Sequence, residues 1–168
     1  PPFDEAPIPC PKNAYGQQKL AAEQAVQGID PAAAIVRVAV MYGQAGPGVS
    51  NFLQQWLNAW QRGEAVTAFD DEIRSILSGK SAAAGLWHLL EKGAEGIFNL
   101  GGATSVSRYE FAVMASRAFG LPAAQIIKKS QKDVASAAFR PANLTLDLSK
   151  ITETGFIPVT LEKGLGEL

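Results

Sequence analysis

Tyr15 and Lys19 are the residues of this chain whose types and spacing could do chemistry. They stand four apart within residues 13–27, a stretch that predicts a helix, so their side chains share one face about one turn apart. A tyrosine hydroxyl ordinarily has a pKa of about 10 and is a poor acid or base at neutral pH. A neighbouring ammonium group favours the phenolate. Such a pair could pass a proton to or from a substrate carbonyl or alcohol.

The Tyr-x-x-x-Lys spacing is weakly specific, because many helices contain it by chance on a solvated polar face. Its context adds weight, since a β-branched run at 34–41 follows and predicts a buried parallel strand. Lys19 could also hold a ribose hydroxyl of a nicotinamide cofactor. Hydride transfer would require that cofactor, because no side chain carries a hydride.

The elements that must position this pair alternate between helices and strands, which predicts the α/β class. Ser107 and Glu110 have the spacing of a capping box and mark the start of one helix. The predicted helices are 13–27, 49–61, 81–92, 107–119, 149–154 and 161–168, and the predicted strands are 34–41, 65–69, 96–100, 125–128 and 144–148.

Composition excludes several classes. The 168 residues are 47% apolar with a net charge of −1, which is typical of a globular domain and gives no reason to expect a nucleic-acid partner. The longest apolar stretch, 32–42, is too short to cross a membrane. The single cysteine, Cys10, fits a reduced, cytoplasmic setting. His88 is the only histidine and has no second ligand at metal spacing, so no metal site is predicted.

Residues 11–23 (PKNAYGQQKLAAE) resemble the active-site helix of extended short-chain dehydrogenases/reductases, whose usual form is Pro-x-x-x-Tyr-Gly-x-Ser-Lys-x-x-x-Glu. Further runs resemble that family in the same order, and they cover nearly the whole chain. These runs are IVRVAVMYG at 35–43, DEIRS at 71–75, GIFNLGG at 96–102, SRYE at 107–110 and RPANLTLDLSK at 140–150. The branch they resemble is the dTDP-4-dehydrorhamnose reductase-like, sugar-nucleotide-binding group.

The resemblance implies the C-terminal part of an NAD(P)-binding, Rossmann-like α/β fold with a smaller mixed α/β substrate-binding region. Residues 1–46 would be the end of the Rossmann-like domain, and residues 47–168 would be mainly the substrate-binding region with interspersed Rossmann elements. The family's Gly-rich dinucleotide turn and its catalytic Ser or Thr belong upstream of Pro1. We therefore expect residues 1–168 alone to be inactive.

The resemblance also implies roles for individual residues. Tyr15 and Lys19 match the catalytic, cofactor-binding pair, with NADP or NAD as the cofactor. Arg74 and Arg140 match positions where relatives place arginines near the nucleotide diphosphate, and two guanidinium groups suit such a clamp. For Arg74 the alternative is a surface ion pair with Asp70 or Asp71. Asn51 either caps a helix, which we favour, or touches the substrate.

The resemblance leaves several functions open. The first is NAD(P)-dependent reduction of a keto group on a nucleotide-linked sugar, and the second is an epimerase or dehydratase of the same family. A third is a non-catalytic regulatory subunit, which Val40 and Lys80-Ser81-Ala82 would suit. Relatives carry Asn or Trp at the first of these positions and Asp-Leu-Ala at the second. Relatives often dimerise through helices, so a homodimer is one expectation; the Ala-rich face 20–26 would suit packing within the molecule equally well.

Overall fold

The computed structural model describes residues 1–44, 46, 48–121, 125–134 and 140–168. Helices and strands are interspersed along the chain, as the predicted α/β class requires. The helices are α1 (Ala14–Ile29), α2 (Phe52–Gln61), α3 (Gly79–Glu91), α4 (Arg108–Ala118), α5 (Ser149–Glu153) and α6 (Leu161–Gly166). The strands are β1 (Ala34–Val38), β2 (Met41–Tyr42), β3 (Val66–Phe69), β4 (Ile73–Arg74), β5 (Leu77–Ser78), β6 (Gly96–Leu100), β7 (Val106–Ser107), β8 (Ile126–Lys129) and β9 (Asn143–Leu144).

The strands pair mainly in parallel, between partners far apart in the sequence. β1 pairs with β6, β2 with β5, and β3 with β8, all in parallel. A separate three-stranded sheet has the order β7-β4-β9, with β7 antiparallel and β9 parallel to β4. Parallel neighbours need crossover connections, and here α3 lies in the chain between β1 and β6.

Two apolar clusters form the core. The larger joins α2, α4, β3 and β8 around Phe111, which is fully buried. The smaller lies between α3, α5 and β6 and includes Leu89, Leu100 and Ile151. The apolar stripe predicted for α2 is confirmed, since Leu53 and Trp60 are both buried. In the part of the chain that the structure describes, no helix combines the length and apolarity needed to span a membrane.

The structure changes some predicted boundaries. The predicted strand 34–41 is two strands, because β1 ends at Val38 and β2 pairs with a different partner, β5. The helix predicted from residue 49 begins at Phe52. The stretch 44–48 contains glycine and proline, which indicates a loop, and its residues 45 and 47 lie outside the described residues. The two-residue strands β4, β5 and β7 were not predicted, because two residues carry no alternating pattern.

Candidate active site

The helix that carries Tyr15 begins where the sequence supplies a cap. Asn13 is its N-cap residue, and its Oδ1 accepts a hydrogen bond from the Gly16 amide at 2.8 Å. A Cβ at Gly16 would lie 2.8 Å from the Pro11 Cβ, closer than carbon atoms normally approach. Glycine at this position therefore allows the chain entering the helix to fold against its first turn, which explains a residue that is otherwise unfavourable in a helix.

Tyr15 and Lys19 share one face of α1, as their spacing predicts. The Lys19 Nζ lies 5.5 Å from the centroid of the Tyr15 ring, within the range of a cation–π contact. Tyr15 is 69% exposed, and Lys19 is exposed as well. Both residues are exposed, so nothing in the described residues covers the positions predicted to contact a cofactor ribose hydroxyl (Lys19) and a substrate oxygen (Tyr15). These roles stay predictions.

A two-pronged salt bridge holds α1 against β1. The Arg37 Nε donates to both carboxylate oxygens of Glu23, at 3.0 and 3.2 Å, and its Nη2 donates to Oε2 at 2.7 Å. Glu23 stands four residues after Lys19, so it lies on the same face of the helix. All residues of α1 are described and none of them is buried. The Glu23–Arg37 pair is therefore a principal anchor of the helix.

Tyr15 lies near the carboxyl end of β1. A short turn joins α1 to β1, and Glu23 in the middle of the helix reaches Arg37 in the strand, so the helix runs back along the strand. Val38 pairs with Leu100, so β1 and β6 end together at this edge. Open α/β sheets bind their ligands outside the carboxyl ends of the strands.

Asn51 has the local structural role that we favoured. Its Oδ1 accepts a hydrogen bond from the Gln54 amide at 3.0 Å, which caps α2. Its Nδ2 donates to the Gly43 carbonyl at 2.8 Å, which ties the start of α2 to the end of β2. Both ends of the side-chain amide are engaged within the protein. A contact between Asn51 and a substrate stays a prediction.

Arg74 is buried, with 7% of its surface exposed. Its Nη1 donates to the carbonyls of Ile73 at 2.7 Å and Ala142 at 3.1 Å, and its Nη2 donates to the Pro141 carbonyl at 2.9 Å. Burial lowers the pKa of Arg74, although an arginine stays protonated in proteins. The side chain fixes the backbone that directly follows Arg140, which is itself exposed.

The predicted ion pair between Arg74 and Asp70 or Asp71 is wrong. The carboxylate neighbour of Arg74 is Glu72, at 3.5 Å, and not Asp70 or Asp71. Asp70 forms its salt bridge with a lysine of β8. Asp71 accepts a 2.6 Å hydrogen bond from the Ser130 hydroxyl, and this bond holds the pKa of Asp71 below its usual value. Both aspartates thus face the β8 side of the molecule.

Sequence reasoning missed Arg108, the first residue of α4. Its guanidinium carbon lies 3.6 Å from the centroid of the Phe52 ring and 5.1 Å from that of Trp56. Burial lowers the pKa of Arg108, the positive charges of Arg74 and Arg140 lower it further, and the carboxylate of Glu72 acts in the opposite direction. One signal was available: a cation in the first turn opposes the helix dipole, so its presence there calls for another reason.

Comparison with known proteins settles the family. A family model described as the RmlD substrate binding domain matches residues 1–168. The chain belongs to this family. The resemblance to dTDP-4-dehydrorhamnose reductase-like members of the extended short-chain dehydrogenases/reductases is thereby confirmed.

Curated relatives of different kinds match the RmlD-type chain. It is 30% identical over 159 residues to the dTDP-4-keto-6-deoxy-D-glucose reductase of Streptomyces niveus, covering 94% of this chain and 54% of that protein. It is 29% identical over 176 residues to methionine adenosyltransferase 2 subunit beta of Rattus norvegicus, covering 92% and 48%. The chain thus spans about half the length of the curated relatives it matches.

The fold agrees with a solved reductase structure. The dTDP-4-dehydrorhamnose reductase of Bacillus anthracis, solved in complex with NADP, superposes with a TM-score of 0.88 at 25% identity. The match covers 98% of this chain and 57% of that one. The predicted α/β, Rossmann-like class, matching part of a longer extended reductase, is confirmed. The division of this chain at residue 46 stays a prediction.

Proposed function

We propose that the protein containing this RmlD-type chain reduces a keto group on a nucleotide-linked sugar, with NADPH or NADH as the reductant. The observation that supports the proposal is the exposed Tyr15–Lys19 pair at the carboxyl edge of β1. Two reductases that the chain matches are named for dTDP-linked sugars, so a dTDP-linked keto sugar is the first substrate to test.

Each residue of the pair has a defined part in the reaction. A nicotinamide cofactor, when bound, would supply the hydride that the carbonyl carbon of the sugar accepts. The carbonyl oxygen takes the hydroxyl proton of Tyr15, so the keto group becomes a secondary alcohol and Tyr15 becomes a phenolate. The ammonium of Lys19 stabilises that phenolate and holds a ribose hydroxyl of the cofactor. Solvent then donates a proton to the phenolate oxygen of the exposed Tyr15 and restores the hydroxyl.

We propose that Arg140 binds the diphosphate of the substrate. Its exposed guanidinium would contact the diphosphate, and Arg74 would hold the Arg140 loop through the carbonyls of Pro141 and Ala142. Asn51 would fix the start of α2 beside this region. The proposed substrate is a nucleotide-linked sugar. A homodimer and a cytoplasmic location stay predictions.

The test is oxidation of NADPH and NADH by the natural full-length polypeptide, followed with dTDP- and UDP-linked 4-keto sugars. Tyr15→Phe should lower kcat by about 10²- to 10⁴-fold, the usual contribution of a general acid. Tyr109→Phe, a change on α4 away from the pair, is the matched control. No oxidation with any of these sugars would contradict the proposal.

A second function, cofactor binding without turnover, is favoured by one observation. The chain also matches methionine adenosyltransferase 2 subunit beta, whose name describes a subunit of another enzyme. Three results together would support this alternative: NADPH raises the melting temperature, no sugar is reduced, and Tyr15→Phe leaves the NADPH-induced shift in melting temperature unchanged. Residues 1–168 alone should show no turnover under either proposal.

A further inference from the structure

Arg74 is poorly placed to bind a phosphate group. Three short hydrogen bonds join its Nη1 and Nη2 to backbone carbonyls, and Glu72 lies 3.5 Å from Nη2. A phosphate would have to compete with these carbonyls for the same N–H groups, on a guanidinium that is itself buried. Arg74 therefore positions the loop that follows Arg140 and does not itself face a ligand.

Arg108 has the opposite arrangement. One face of its guanidinium is stacked on Phe52 at 3.6 Å, while the N–H groups of a guanidinium point outward in its plane. Within the described residues, the Arg108 side chain donates no hydrogen bond and forms no salt bridge. The side chain is only partly buried, so these donors are open to solvent, and a bound anion would replace water as their acceptor with a charged one.

The register of the three-stranded sheet brings Arg108 and the Arg140 loop together. Ile73 pairs with Ser107 on one side and with Asn143 on the other, so the next row of the sheet contains residues 108, 72 and 142. The Arg108 amide donates to the Glu72 carbonyl at 3.0 Å, and the Arg74 guanidinium holds the carbonyl of Ala142. Arg140 is two residues before this row.

We propose that Arg108, stacked on Phe52, is the second arginine that contacts the diphosphate, with Arg140 as the first and Arg74 as a positioning residue behind them. The inference rests on the proposed nucleotide-sugar substrate and specifies which side chains hold its phosphates. The competing explanation is that Arg108 serves only as a packing contact between α4 and α2. In that case its removal would lower stability without changing ligand selectivity.

The test measures binding of dTDP, UDP and thymidine to the natural full-length polypeptide by isothermal titration calorimetry. Arg108→Met should lower the affinity for dTDP and UDP by about 10- to 100-fold, the effect of losing a hydrogen bond to a charged group. The affinities for thymidine and NADPH should stay unchanged. Arg108→Lys keeps the charge but loses the planar fork and its stacking on Phe52, so it should weaken binding of the diphosphates by a smaller factor than Arg108→Met. Arg117→Met, at the exposed end of the same helix, is the matched control.

The outcomes separate the claims. Equal loss of dTDP and thymidine affinity in Arg108→Met, or no loss of either, would overturn the inference; so would no binding of either diphosphate by the unmodified protein. Should Arg108→Met fail to fold, a wild-type ratio of dTDP to thymidine affinity in Arg108→Lys would overturn it. Arg108-dependent diphosphate binding without any NADPH oxidation would support this inference while contradicting the proposed reductase.

Discussion

The helix that carries Tyr15 and the helix that carries Arg108 are held in the molecule in different ways. In α1, whose residues are all described, no side chain is buried, and the Glu23–Arg37 pair links the helix to β1. In α4, Phe111, Ala112 and Ala115 are fully buried in the larger core cluster. The first helix depends on an ion pair and its caps, and the second depends on packing.

This difference separates the two halves of the chemistry. Apolar burial contributes far more to stability than a partly exposed ion pair. The region around α4 is therefore the rigid platform, and it carries the arginines proposed to hold the nucleotide. The Tyr15–Lys19 pair lies on a helix whose outer face remains exposed, in a chain that spans about half the length of its curated relatives. The following changes test this contrast.

The largest effect is expected in the packed region. Phe111→Ala should lower the free energy of unfolding by about 3–5 kcal/mol, because Phe111 is fully buried and contacts the rings of Tyr42, Phe52 and Trp56. Val26→Ala, on the exposed face of α1, should change it by less than about 0.5 kcal/mol. Denaturant unfolding measures both variants. Similar losses of unfolding free energy in the two variants would contradict the contrast between α4 and α1.

Alkaline pH should act on the packed region through Tyr42, which is 2% exposed. Burial and the carboxylates of Glu167 and Glu162 raise its pKa to about 12. A raised pKa means that the folded state favours the neutral phenol, so this contribution is present below pH 10 and is lost as pH rises towards 12. Over this range, the free energy of unfolding of the unmodified protein should fall by roughly 2–3 kcal/mol more than that of Tyr42→Phe. The same pH dependence of the unfolding free energy in the two proteins would contradict the raised pKa of Tyr42.

Removing the ion pair should loosen α1 alone. Glu23→Gln should destabilise the helix by about 1 kcal/mol and raise hydrogen exchange at the α1 amides while leaving those of α4 unchanged. Glu64→Gln disrupts a far more exposed pair with Arg62 and serves as the control. Faster exchange throughout the chain would show that the two regions unfold as one unit.

The smallest effect concerns two glycines of α1. Gly28→Ala should stabilise the protein by about 0.5–1 kcal/mol, because no atom outside its immediate neighbours and its own helix backbone lies within 4 Å of the added carbon. Gly16→Ala should show no gain or a loss, since the added carbon would meet Pro11. Thermal melting distinguishes the two variants, and an equal gain in both would contradict the packing assigned to Gly16.

The sequence was most informative where one local signal determines structure. The capping box at Ser107 and Glu110 predicts the start of α4, and the β-branched run predicts the parallel pairing of β1. It could not distinguish Arg74 from Arg108, because the burial of each guanidinium depends on which strands pair across β7-β4-β9. Pairing between residues 73 and 143 leaves no periodic pattern in either segment.

The most direct measurement follows the hydride. The natural full-length polypeptide is incubated with a dTDP-linked 4-keto sugar and NADPH deuterated at its transferable position, and the sugar product is analysed by mass spectrometry. We expect one deuterium in the alcohol product and at least about a 10²-fold slower appearance of that product in Tyr15→Phe. An unlabelled product, or labelling at the same rate in Tyr15→Phe, would contradict the proposed reaction.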